Sequence, residues 1–132
     1  MQALLPDLDQ ELIDFLGSHA SLTPLHGGRV GTKLQSTLRA VRITSLGGPQ
    51  PWPWEGNPEY QIEWWGGSTD PDQGPAKLLA RTGEAVLWEL AGAAVDGGRV
   101  GEFAIPLSQL WSPDETTGRP RYLTQISLTV RP

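Results

Sequence analysis

The sequence predicts an α+β domain: a mainly antiparallel β-sheet covered on one face by two helices, in the order α-β-β-β-α-β-β. Three observations predict it. Apolar residues recur at helical spacing in only two stretches, near residues 5–16 and 76–91. Elsewhere several stretches alternate with a period of two, as half-buried strands do. Sixteen glycines and twelve prolines in 132 residues, about twice the ordinary share, mark many turns and argue against a helical bundle. The length suits a single domain spanning residues 1–132.

The first helix is expected from Pro6 to Leu16. Leu5, Leu8, Leu12, Ile13 and Leu16 form one apolar stripe, and Asp7, Asp9 and Glu11 suit the positive N-terminal end. Gly17 is the expected stop, with His19 just beyond it at the negative helix end. Gly27-Gly28 then signals a turn into a short strand, Arg29 to Leu34. Ala40 to Leu46 alternates, with Val41, Ile43 and Ser45 on one face, and Gly47-Gly48 ends it. Pro49 to Pro58 holds four prolines, so it is a stiff loop, and it carries Trp52 and Trp54.

Glu59 to Trp65 is the clearest strand. Tyr60, Ile62 and Trp64 point one way; Gln61, Glu63 and Trp65 point the other. Ser68, Thr69 and Asp70 offer N-caps, with Pro71 as a first helical residue, and the second helix is expected over Pro75 to Ala94. Gly83 lies inside it, which implies close packing against that turn. Asp96-Gly97-Gly98 is a hairpin-like turn. Val100 to Leu110 and Tyr122 to Arg131 are the last strands, joined by a polar loop over Ser112 to Pro120. Gly-Gly-Arg-Val-Gly occurs at Gly27–Gly31 and at Gly97–Gly101; the differing flanks point to two turn-into-strand solutions, not a duplication.

Composition excludes several chemistries. The chain has no cysteine, so disulfides, thiolate metal sites and cysteine nucleophiles are ruled out. Only His19 and His26 could serve a zinc site, and His26 is read as a loop or helix-end partner. A net charge of −5 disfavours gripping DNA or an anionic membrane by charge. No apolar run approaches the ~20 residues of a membrane span. The segment Met1 to Asp7 lacks the basic start of a signal peptide, so an intracellular soluble protein is expected. No phosphate loop, nucleophile elbow or zinc-protease helix is present, and no cofactor or metal is expected. Glu55, Glu59, Glu63, Asp70 and Asp72 lie near tryptophans, as glycosidase carboxylates do, but at positions where acids commonly cap or pair; no enzymatic activity is expected.

Six tryptophans are the strongest signal. Trp64 and Trp88 fall on apolar faces and are expected in the core. Trp65 faces the other side of a sheet covered on one face only, where it should be exposed. Trp52, Trp54 and Trp111 sit in a loop and at a strand end. Interface burial and a loop folded over its own tryptophans are equally open readings, with a sugar-stacking platform of Trp52, Trp54 and Trp111 as a third. Arg29, Lys33, Arg39 and Arg42 cluster early, and Arg119, Arg121 and Arg131 late; the acids concentrate in the helices and over Glu55 to Asp72. Opposed patches of the two signs suit head-to-tail packing of identical subunits into a ring.

The order of these pieces resembles the tail terminator (tail completion or neck) proteins of long-tailed bacteriophages. The resemblance runs through a short first helix, Arg29-Val30-Gly31-Thr32, the strand Arg42-Ile43-Thr44-Ser45-Leu46-Gly47-Gly48, the strand Tyr60-Gln61-Ile62-Glu63-Trp64-Trp65-Gly66-Gly67, the helix Ala76 to Ala91 and a late β-region. It implies a non-enzymatic virion protein of the tail and neck, assembled in the host bacterial cytoplasm. Six copies would form a ring on the head-proximal end of the tail tube. The ring would stop tube polymerisation and dock the head-side connector, with DNA passing through the lumen without specific binding. Its partners would be itself, the major tail tube protein and the connector, with no membrane. At −5 per chain such a ring is strongly acidic, which would keep DNA from sticking. Trp52, Trp54, Glu55, Arg29, Arg42, Trp65 and Trp111 are the candidate subunit or tube contacts. A head-side stopper or adaptor, or a small carbohydrate-binding module, is the alternative reading.

Overall fold

The computed structural model describes residues 4–34, 36–95 and 97–132. Met1 to Ala3, on which part of the signal-peptide reading rests, and Asp96 of the predicted turn lie outside them. Helix α1 spans Leu8–Ser18, α2 Thr23–His26 and α3 Gly74–Leu87, followed by a 3-10 turn at Trp88–Leu90. The strands are β1 Val30–Gly31, β2 Ala40–Gly47, β3 Glu59–Trp65, β4 Ala94–Val95, β5 Gly98–Trp111 and β6 Arg121–Arg131. They form one mixed six-stranded sheet in the order β1-β2-β3-β6-β5-β4. Among the described residues only β1 with β2 is parallel; the other pairs are antiparallel. The α+β class and the covered single face are as the sequence predicts, with α2 and β4 added.

The core lies between that face and the two long helices. Leu8, Leu12 and Leu16 of α1 share one buried cluster with Val41, Ile43, Tyr60, Ile62 and Trp64. Each such leucine contributes about 1.5–3 kcal/mol by leaving water. Ala76, Leu79, Ala80, Val86 and Leu87 of α3 and Tyr122, Ile126, Leu128 and Val130 of β6 belong to the same buried cluster. Asp7, not Pro6, begins α1: its carboxylate accepts from the Asp9 amide. Gly17 does not stop the helix, which runs on to Ser18 with His19 as its C-cap; a side chain at Gly17 would rest on Val30. The strand predicted over Arg29 to Leu34 is paired only at Val30 and Gly31.

The start of α3 also differs from expectation. None of Ser68, Thr69 or Asp70 caps it, and Pro71 is not helical. The Asp70 carboxylate is taken by the Gly67 amide and the Arg39 guanidinium instead. The helix ends at Leu87 rather than Ala94 because the chain tightens at Trp88–Leu90 and Gly92 turns back with φ 75°. That turn makes β4, whose Ala94 and Val95 pair with Arg99 and Gly98. The tightening swings Trp88 off the buried stripe. It is 52% exposed, edge-on to Phe103, and is not core.

Gly83 packs as the sequence implies. A Cβ there would lie 2.1 Å from the Trp64 ring, so only glycine lets the indole lie against the helix. The Trp64 indole N–H donates to Thr124 Oγ1 at 2.8 Å, and that hydroxyl donates to Glu84 at 2.7 Å. Glu84 also accepts from the Ser108 hydroxyl and from the backbone and side-chain nitrogens of Gln109. One buried carboxylate therefore ties α3 to β6 and to β5, at the left-handed residue Gln109 (φ 46°). Strand β5 is bent by register shifts against β6 between Val100 and Phe103, Ala104 and Leu107, and Leu107 and Leu110.

Candidate functional site

Strand β6 has a different surface at each end. Near Val130 lies the Pro49–Pro58 loop, and near Tyr122 lies a cleft beside Trp111. Tyr122 and Val130 stand about 26 Å apart at roughly 3.3 Å per residue.

The loop is ordered by its own bonds. Gly56 pairs with Val130, and both Gly56–Val130 backbone bonds form. The Glu55 amide donates to the Trp52 carbonyl. Arg131 donates to Glu55 through Nε and Nη2, at 3.0 and 2.6 Å. Trp52 and Trp54 stack nearly parallel, 8° apart with centroids 5.5 Å apart. They are 55% and 57% exposed, so the loop does not fold back to hide them.

The opposite end is built around Trp65. It is 5% exposed, not open as expected, because Arg119 and Arg121 lie over its ring at 5.1 and 5.0 Å. Its indole N–H donates to Glu63, which also pairs with Arg121 and Arg42 at 3.3 and 3.5 Å. Arg119 donates to the carbonyls of Gly66, Ser36 and Leu38, which pins the loop before β2 to the end of β3. Burial lowers the pKa of Arg119 from its ordinary value. The Arg39 guanidinium holds Asp70 below the usual carboxylate range, with help from the Gly67 amide. Trp111 leans on Tyr122, with centroids 5.0 Å apart, and remains half exposed. These groups bound a cleft of about 540 Å³ whose lining includes Trp65, Trp111, Asp70, Asp72, Asp114 and Arg119.

The predicted contact residues thus separate. Trp52, Trp54 and Glu55 share one end of the sheet; Arg42, Trp65 and Trp111 share the other. Arg29 is committed to the Arg39 carbonyl. Trp111 is too far from Trp52 and Trp54 for the three to form one sugar platform. Glu55, Glu63 and Asp70 are each held by arginine, and Asp72 accepts from its own Gly74 amide. Glu59 is exposed at the start of β3. Among the described residues no group of three or more His, Asp or Glu side chains is placed to hold a metal ion. His19 reaches Glu89 at 3.2 Å. His26 is buried, its Nε2 against the Leu16 carbonyl and its Nδ1 accepting from the Gly28 amide. Sequence reasoning passed over Asp114 and Glu84, and saw in Arg119 only one of a late group of positive charges. Only Glu84 left a signal, a charge set on the apolar stripe of α3.

No family model matches this chain, and no curated protein sequence matches it. Among solved structures it is similar to a chain from the virion of a native gene transfer agent particle. The TM-score is 0.66 at 16% identity, covering 92% of each chain. At that identity the likeness is one of fold.

Proposed function

We propose that the protein is a structural component of a phage-like virion and, within it, a tail terminator. The observation that carries this reading is the fold likeness to a virion chain over nearly the full length of both. In this reading six copies form a ring at the head-proximal end of the tail tube. The ring ends tube growth, presents the docking surface for the head connector and lets DNA pass. No reaction, cofactor or metal is needed. The net charge of −5 per chain suits a lumen that does not retain DNA. Trp52, Trp54 and Glu55 at one end, and Arg42 and Trp111 at the other, are the proposed contacts, with Arg29 in the same group. Trp65 acts through the arginines that cover it.

Native mass spectrometry of the protein, alone and with the tail tube protein, tests this, with negative-stain imaging of tube ends. A hexamer mass and capped tubes are expected. A persistent monomer that leaves tubes uncapped at high concentration overturns the reading. Capture by the head connector with no affinity for tubes replaces it with a head-side stopper.

A further inference from the structure

We propose that the Trp52–Trp54 loop of one copy seats in the Trp65–Trp111 cleft of a second copy. This rests on the ring reading and names the two surfaces that would meet. Five features of the molecule support it. The loop is already rigid, through its prolines, the Gly56–Val130 bridge and the Arg131–Glu55 pair, so little freedom is lost on docking. Two adjoining exposed indoles are the kind of anchor that binds by filling a concave site. The cleft, at about 540 Å³, lies within the roughly 300–1,000 Å³ of sites that enclose sizeable groups, and it has aromatic walls.

The charges also match. Three carboxylates line the cleft, Asp70, Asp72 and Asp114, against the single guanidinium of Arg119. The Asp72 carboxylate accepts from the Gly74 amide and that of Asp114 from Thr117, with Arg119 and Arg121 acting on Asp114 only at longer range. At the loop, Arg131 is 62% exposed while its partner Glu55 is largely covered, so the guanidinium end of this ion pair is the part of the loop base that faces solvent. In a chain of net charge −5, an approaching copy meets repulsion except where such opposite patches face each other. Finally, loop and cleft lie at opposite ends of β6. The contact is therefore heterologous, running head to tail, and it closes into a ring when the rotation between copies divides a full turn.

The absence of cysteine makes the test direct. Pro53→Cys and Thr117→Cys are made separately in the full chain, each checked for an unchanged melting temperature, then mixed and oxidised. Disulfide-linked dimers are expected from the mixture and from neither variant alone. Gln50→Cys with Gln73→Cys provides a second pair if Pro53→Cys loosens the loop. Trp54→Ala should weaken self-association about thirtyfold or more, the scale of a tryptophan anchor. A hexamer by mass that gives no crosslink with either pair overturns the inference and leaves the ring standing. A chain that stays monomeric overturns both. Crosslinking of the loop to tube protein in place of a second copy also overturns it.

Discussion

Trp64 and the Trp52–Trp54 pair offer the same side chain in opposite settings. Trp64 fits against a glycine in α3, gives its N–H to Thr124 and extends a chain of bonds to Glu84. Its apolar body and its polar tip are both satisfied inside one copy. Trp52 and Trp54 satisfy mainly each other, on a loop tied down by Glu55, Gly56 and Arg131. Rigid backbone beneath exposed indoles is a poor use of apolar area for a monomer and a good one for an assembly. Tryptophan content alone cannot separate these uses; what lies opposite each ring does.

The largest effect on the folded copy should come from filling the space beside Trp64. Gly83→Val should cost about 3 kcal/mol, because the indole must leave its bond to Thr124 or push the helix away. The urea midpoint should fall with the slope unchanged. Glu84→Ala should cost about 2 kcal/mol by stranding the donors from Ser108, Gln109 and Thr124. It should also speed amide exchange around Gln109, which distinguishes a lost anchor from a simple cavity.

Acid should loosen the corner near α2 before the carboxylate pairs fail. Burial holds the pKa of His26 below its ordinary 6.5, and its Nδ1 accepts a bond that a protonated ring cannot accept. The unfolded chain then binds more protons than the folded one. This contribution is complete above pH 6.5 and is lost as pH falls below it through the lowered folded value. Asp70, also lowered, follows the same sign at more acid pH, below its ordinary 3.8. His26→Gln should lower stability at neutral pH by about 1 kcal/mol and flatten the slope below pH 6.5. Stability curves against pH for the two proteins would show it.

The smallest effect on folding is expected at the loop. Trp52→Ala with Trp54→Ala should change monomer stability by about 1 kcal/mol or less, since both rings are already half in water. Association should fall in the same protein. If the double variant unfolds as readily as Gly83→Val, the pair is structural and the contrast with Trp64 fails.

Much of this fold was legible in the residues themselves. The limits of β3, the alternation of β6, the leucine stripe of α1 and the demand for glycine at position 83 all follow from local period and size. The site was less legible. Trp65 reads as exposed until Arg119 and Arg121, more than fifty residues away, are seen to cover it. Trp88 reads as core until the helix tightens one residue too early for it. Asp70 reads as a helix cap and Glu63 as a mid-strand acid until distant arginines take them. Periodicity therefore determined which elements exist and which face each buries, because neighbours along the chain set those. Pairing of charges, covering of rings and the separation of loop from cleft by the length of β6 depend on residues far apart in sequence. Only the tertiary structure decided those.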